Sequence, residues 1–538
     1  MTVAVDCPTA HVLGSLRAED SNFSTRAVFS FSLPDHAYFI MSRPIVRALL
    51  LNLILASSVA LRAQEPSTAT STAVPATTPV DAPTLTLEEC VARALEKNFS
   101  LRIQGFNTAI AKETINIAKA AFEPTLTAST QRDMVQISPN VRTNTTDTRV
   151  GVQQNITSGA AINVSASVDR TGNTPAYSTP NPVYNSDVSL SVVQPLLRGA
   201  GTAVNRAAIE RSKLGLNIAN LSYKGSVLQV VRDTEAAYYN LVFARGQRDV
   251  KQHSLELAQK LYDENKARRV TGVATDLDVL TAEVGMATAR NGVVTADQLV
   301  HNSEDNLLAL IGNTQFNLTI GAVNLPDTIE AAPSFDASYK LARDNQPDLA
   351  SSQNTIKQYE IDANSAKNGA LPTLNLGGAV GYGGTDRSYT SAINRTSDGD
   401  ARNWQLDLSL SVPWGLHADR ARYRTAIAGL RQQQTRLEQI DQNLIVQVRS
   451  AVRAVETNQQ SVEIFGKSTE LAVRQYELQL ARFKAGLSTS RQVLETQDDL
   501  ESARVNELLA KVNLRIAYAN LHQLESSSLD RFHIALAE

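Results

Sequence analysis

Residues 404–414 read Trp404-Gln405-Leu406-Asp407-Leu408-Ser409-Leu410-Ser411-Val412-Pro413-Trp414. In an extended chain successive side chains alternate sides, so Trp404, Leu406, Leu408, Leu410 and Val412 share one face and Gln405, Asp407, Ser409 and Ser411 the other. A half-buried strand of a soluble sandwich alternates in the same way. The two tryptophans separate the readings. The run spans about 33 Å, or about 25 Å of height once tilted, which matches the apolar band of a membrane barrel with an aromatic anchor at each end. The polar residues are small, and Asp407 would need a buried partner in a packed core but none in a wet lumen. A lone strand leaves its backbone unpaired in lipid, so the rest of the chain must supply closure.

Two other stretches repeat the pattern. Between Pro372 and Tyr382, Leu374, Leu376, Val380 and Tyr382 face outward and Asn375, Gly377, Ala379 and Gly381 inward. Between Asp187 and Gln194, Val188, Leu190 and Val192 oppose Asp187, Ser189 and Ser191. The chain also repeats itself on a larger scale. Leu101–Pro124 and Leu349–Pro372 have equal length and end in the same Pro-Thr-Leu, and Ala267, Arg268, Gly272, Thr275, Val279 and Leu280 match Ala481, Arg482, Gly486, Thr489, Val493 and Leu494. Each copy orders helix, strands, long helix, turn, helix. The first copy is expected over 85–312, a connector over 313–335, the second copy over 336–526 and a tail over 527–538.

In each copy the first helix is expected near 88–121 and 336–369, the long helix near 203–269 and 418–484, and the last near 275–311 and 489–525. At the α-helical rise the long helix reaches about 100 Å and the two shorter ones end to end about 105 Å, so the short pair can lie alongside the long one. Leu430, Leu437, Leu444 and Ala451 recur at heptad spacing beside Val448, Val455 and Val462, which predicts coiled-coil packing. The helices alone would fit a soluble rod; the strands argue for a membrane protein. At least two strands per copy give at least four per chain; four leave open edges that require several chains to share one barrel. Two chains would make eight strands around a filled interior, and three would make twelve with room for solute; the small inward residues favour twelve.

The N-terminal region reads as an export leader: Arg43 and Arg47 precede the apolar run Ala48–Ala60, with small-residue cleavage sites at Ser58-Val59-Ala60 and Leu61-Arg62-Ala63. Residues 41–63 are therefore expected to be a signal peptide, with translation starting at Met41 and 1–40 outside the working protein. Residues 64–84 are a Thr/Ala/Pro/Ser linker with too few apolar groups to fold. Of the cysteines Cys7 and Cys90, the first would be lost with the leader, so no intrachain disulfide is expected, and Cys90 reads as a small buried residue. The net charge of −3 and pI near 6.2 give no electrostatic case for nucleic acid. Hydrophobic residues at 43% with aromatics at only 5% suit long Ala/Leu helices.

The sequence resembles the TolC-like outer membrane efflux proteins. The resemblance runs from Leu85 to Ser526: Leu85-Thr86-Leu87-Glu88-Glu89, Ala94-Leu95, Asn98, both Pro-Thr-Leu strand starts, Gln194-Pro195-Leu196-Leu197-Arg198-Gly199, and the tips at Arg268–Gly272 and Arg482–Gly486. It implies a mixed α and β membrane protein, a trimer that shares one antiparallel barrel in the outer membrane and continues as a long periplasmic α-helical coiled-coil barrel. A periplasmic adaptor and an inner-membrane transporter would be its partners. There are departures. Phe99 stands where the first copy often has proline, although Pro347 is present in the second. The interval Pro124–Pro195 exceeds Pro372–Pro413 by about thirty residues, including an alternating hairpin, Arg149–Gln153 and Ile162–Val168, that either extends the outer end or adds barrel strands.

A gated tunnel needs a docking tip and a gate. The tips carry Arg268, Gly272, Val273 and Ala274 in one copy and Arg482, Gly486, Leu487 and Ser488 in the other. By residue type these are ordinary helix C-caps; the resemblance implies adaptor docking. Just beyond come Asp276 and Asp278, and Gln492, Glu495 and Asp498. In a three-fold assembly inward carboxylates form rings that hold a closed end, whereas acids in a first helical turn also simply suit the helix dipole. By alignment Gln492 and Glu495 occupy positions where the family can carry gate carboxylates, Gln492 weakening the charge there and leaving Glu495 the better candidate, and Asp278 is the gate candidate of the first copy. Trp404 and Trp414 are the membrane-interface anchors. No GxxxxGK[ST] or HExxH motif is present, so no catalysis, cofactor or metal is expected, and energy for transport must come from a partner. The glycine-rich run Gly377–Gly384 reads as close strand packing. The competing functions are a structural or adhesive coiled-coil protein of the envelope and a constitutively open porin.

Overall fold

The computed structural model describes residues 86–176, 181–312 and 333–535. The expected leader, the linker and most of the 313–335 connector lie outside the described residues.

The first helical segment is two helices, α1 (Leu87–Lys97) and α2 (Phe99–Ala120), not one. The helical period runs through this stretch, but Asn98 takes extended backbone angles. Its side chain accepts from the amides of Ser100 and Leu101 at 2.9 and 3.4 Å, capping α2, and its Nδ2 donates to the Leu310 carbonyl at 2.9 Å. The second segment breaks at the matching place. Gln346 is extended because Pro347 follows it, separating a helix α5 (Phe335–Asn345) from α6 (Pro347–Gly369).

Between these segments run α3 (Ala207–Val270) and α4 (Asp276–Leu310), and after the strands come α8 (His417–Lys484) and α9 (Ser490–Glu525). Heptad positions on α8 are buried as the spacing predicts: Leu444, Val448 and Val455 are 3% exposed or less, with Leu437, Ala451 and Val462 packed beside them. Complete burial of a side chain of this size contributes about 1.5–3 kcal/mol. α9 joins the two halves, placing Val512 against Val231 and Leu241 of α3, and Leu514, Tyr518 and Leu521 against the α8 row. Gly246 on α3 and Gly285 on α4 stand where Leu508 and Leu494 of α9 press closest, which accounts for glycine inside a helix. No helix among the described residues is long and apolar enough to cross a membrane.

The strands form one antiparallel sheet, in sequence order from β1 to β6: β1 (Thr125–Ser138), β2 (Val141–Asn155), β3 (Ala161–Thr174), β4 (Val183–Pro195), β5 (Thr373–Asp386) and β6 (Ala401–Ser411). Among the described residues the chain thus supplies six strands, two more than the minimum of four expected. The extra length between Pro124 and Pro195 does not merely extend a loop, because its hairpin is the β2–β3 pair, registered Gln154↔Ile162 and Thr148↔Val168. Apart from a shift between Gln136 and Ser138 at the end of β1, register keeps even-numbered residues on one face: Leu126, Val152, Val164, Leu190, Val380 and Trp404 lie in one cross-strand row. An apolar belt crosses all six strands on that face, and Ser, Thr, Asn, Gln, Gly and Asp make up most of the other, which also carries Val135, Val183 and Val193. β1 and β6 are unpaired on their outer sides.

The glycines of β5 have separate reasons. The carboxylate of Asp407 fills the space beside Gly377, and Asn403 that beside Gly381. Gly384 lies under the Ala392 carbonyl of a short helix, α7 (Tyr389–Asp398), which packs on the even face of β4 and β5.

Candidate functional site

The sharpest local structure lies at the two helix turns farthest from the sheet. α3 ends as Gly272 adopts φ +76°, with the Val273 amide donating to the Arg268 carbonyl at 2.9 Å and the Gly272 amide to Arg269 at 3.0 Å. α8 ends the same way at Gly486, also φ +76°, with Leu487 donating to Arg482 at 2.9 Å and Gly486 to Phe483 at 3.0 Å. The paired bonds satisfy the carbonyls a helix end leaves open, and left-handed backbone selects glycine. Val270, Val273 and Leu487 are 85%, 75% and 72% exposed, so each turn presents bare apolar side chains.

The next helices begin with matching capping boxes. The Thr275 amide and hydroxyl both donate to Asp278 Oδ2, at 2.9 and 2.7 Å, while the Asp278 amide donates to Thr275 Oγ1 at 3.2 Å. In the second copy Thr489 and Gln492 form the same reciprocal pair, and Ser488 Oγ donates to Gln492 Oε1 at 2.9 Å. Asp278 and Gln492, both gate candidates, therefore have a local task in starting a helix. The hydroxyl and amide of Thr275 hold the Asp278 carboxyl below the usual range. Asp276 bonds back across its turn to Arg269 at 2.5 Å. Glu495 lies one turn beyond Gln492, exposed, and meets the exposed Arg491 at 3.1 Å, the weak kind of ion pair.

The two tips are stitched together by contacts the sequence did not reveal. Arg268 donates from Nη1 to the Phe483 carbonyl at 3.1 Å, pairs with Glu264 at 2.9 Å and stacks 4.2 Å over the Phe483 ring. The guanidinium expected to be a docking group thus joins the end of α3 to the end of α8, whereas Arg482 remains exposed. Behind it, buried Ser490 donates to Asn265 at 2.8 Å and buried Gln497 donates to the Ser254 carbonyl at 2.7 Å. Lys251 pairs with Glu501, and partial burial together with Glu501 pushes the nearby Asp498 carboxyl up. The partners in these contacts are far apart in sequence, and no local period marks them. Among the described residues no cluster of His, Cys, Asp and Glu could hold a metal ion.

At the other end Trp404 is 78% exposed on the even face, and Trp414, just past β6, is fully exposed. The sequence model of the outer membrane efflux proteins matches residues 90–313 and 338–525, most of the chain and both helical segments with their strands. The chain belongs to the outer membrane efflux protein family. Its fold is that of TolC-like channels. The outer-membrane channel OprN superposes with a TM-score of 0.64 at 17% identity, covering 82% of this chain and 89% of that one. CmeC of Campylobacter jejuni gives 0.61 at 17%, covering 84% and 90%. MtrE of Neisseria gonorrhoeae, in its open state, gives 0.60 at 18%, covering 86% and 97%. At such identities the likeness carries the fold alone. No curated protein matches the chain by sequence.

Proposed function

We propose that this efflux family member is one protomer of a trimeric, gated exit conduit. Its sheet closes into a barrel in the outer membrane, and its helices extend into the periplasm to meet an adaptor and an inner-membrane transporter. The observation that carries the reading is a two-faced sheet with two open edges: apolar on even residues from Leu126 to Trp404, small and polar on odd ones, unpaired at β1 and β6. In lipid such edges must be paired, and the corresponding edges of further copies are the available partners.

The helices support the same assembly. Phe99, Ile103, Phe106, Ile110 and Ile117 line one side of α2, and Ile464, Leu471 and Leu478 recur at heptad spacing on α8. All eight are at least 54% exposed, a pattern for helix packing against neighbouring copies. The duplicated order of broken helix, strands, long helix and last helix is read as two internal repeats, so three chains would present six similar helix pairs around an axis. Three chains with six strands each close a ring of eighteen, a size that leaves an aqueous channel. The bare turns at Val273 and Leu487 are the adaptor contacts, and Glu495 is the gate carboxylate, since its ion pair with Arg491 is a weak exposed one.

Single-channel recording of the purified mature protein tests this. Small cation-selective openings that widen in Glu495→Ala are expected. Absence of conductance in wild type and variant alike, from an intact oligomer, would overturn the conduit in favour of a structural coiled-coil role.

A further inference from the structure

Charged side chains on the six strands are sorted by face. On the even, apolar face they are Arg132, Arg142, Arg170, Arg402 and Asp386; on the odd, polar face they are Asp133, Asp147, Asp169, Asp187, Asp407 and Arg149. The one exception on each face is paired off: Asp386 lies 3.6 Å from Arg395 of α7, and Arg149 lies 3.1 Å from Asp147. What remains is four arginines facing one way and the carboxylates facing the other.

The arginines also gather toward one end of the strands, at three successive levels of the register. β1 starts directly after α2 and β6 runs into α8, so the helix-distal ends of the strands are the late residues of β1 and β3 and the early residues of β2 and β6. Every one of the four arginines lies toward that distal end. Arg402 is the next even residue beyond Trp404, Arg170 is the next beyond Val168, Arg132 follows Leu126, Ala128 and Thr130, and Arg142 lies farthest out, past Val150, Thr148, Thr146 and Asn144. By register Arg170 sits farther along the sheet than Arg402, since Arg402 pairs with Tyr382 whereas Arg170 pairs with Tyr184, opposite Asp386. The apolar run shifts equally, from Leu410–Trp404 on β6 to Ile162–Val168 on β3. A common slant of belt and arginines is what the tilt of barrel strands produces. Tyr382 and Tyr184 stand at the same border, where aromatic rings mark the edge of the hydrocarbon.

Resting on the barrel reading above, we propose that Arg132, Arg142, Arg170 and Arg402 form a collar that binds the phosphate headgroups of anionic lipid in the outer leaflet. An outward guanidinium beyond the outer end of an apolar belt meets the headgroup layer, and its planar donors match phosphate oxygens two at a time. Arg402 and Arg170 keep step with the edge of the belt, which contact with a lipid surface requires and contact with an acidic protein partner does not.

The test uses the mature protein in phosphatidylcholine nanodiscs containing a minor fraction of bisphosphorylated lipid A, followed by native mass spectrometry of the lipid retained. Wild type is expected to keep lipid A, and the Arg132→Gln/Arg142→Gln/Arg170→Gln/Arg402→Gln variant to lose it by at least about tenfold. Arg149→Gln, on the lumen face, should retain it fully. If the quadruple variant does not insert, the two doubles Arg132→Gln/Arg170→Gln and Arg142→Gln/Arg402→Gln carry the test, each expected to lose about threefold or more. Equal retention in wild type and variants overturns the collar, as does displacement of lipid A by inorganic phosphate at matched concentration, which would mark a free-anion site. Conductance is read on the same samples: intact conductance with unselective lipid retention defeats this inference alone, and absent conductance defeats the channel reading beneath it.

Discussion

Asp278 does its work through Thr275. Because the threonine hydroxyl and amide favour the ionised carboxylate, its pKa in the folded tip lies below the unfolded value near 4. The contact therefore stabilises the tip fully above the unfolded value and loses that contribution as the pH falls through the lower folded one. Amide protection across residues 271–280, corrected for intrinsic exchange, should drop over that interval in wild type and show no such step in Asp278→Asn. Removing the cap itself with Thr275→Ala should cost about 1 kcal/mol of local stability. Cys90 lies at the opposite extreme. It is 0% exposed, and burial pushes its thiol up to about 11, so it stays protonated and inert near neutral pH. Maleimide should leave it untouched in the folded protein and label it after denaturation; rapid labelling of the native oligomer would contradict the packing of α1.

Among the elements, turns and strands were legible in the sequence to different degrees. Gly272 and Gly486 could be read as helix stops because glycine in a left-handed turn is a one-residue signal. β6 was legible because Trp404 to Ser411 alternates without a fault. β1 was only half legible: beyond Leu126 and Ala128 its even face carries Thr130 and Arg132, and only pairing with β2 shows that the belt continues across it. The break at Asn98 was hidden because the apolar period runs through it. The Arg268 stack on Phe483 was hidden because contact across two hundred residues leaves no period at all. Two glycines in the same backbone region separate conformation from crowding. Gly272, φ +76°, has no atom within 4 Å of an added Cβ, whereas Gly312, φ +68°, would drive that Cβ into the Lys97 carbonyl. Gly272→Ala should therefore cost about 1 kcal/mol, the backbone penalty alone, and Gly312→Ala distinctly more, measured as the shift in thermal unfolding of the two variants side by side.

At the scale of the whole molecule, a sheet finished by its neighbours makes a specific claim about geometry. A cysteine at Ser129 on β1 should form a disulfide with one of a series of cysteines placed singly along Asn403–Ser409 on β6, and only between chains. The product should run as a closed ladder ending at three chains; Cys90, buried, will not compete. Crosslinking within one chain would mean that the sheet curls shut by itself. The unpaired edges have a genetic consequence as well. A chain whose β6 alone is spoiled, by proline at Gln405 and Asp407, still offers an intact β1 edge, so it can enter a growing ring and leave it unable to close. Expressed beside the full protein, such a variant would act as a dominant poison: working channels would fall as the cube of the intact fraction rather than in proportion to it, and a single damaged copy of the gene would silence most of the output of a sound one.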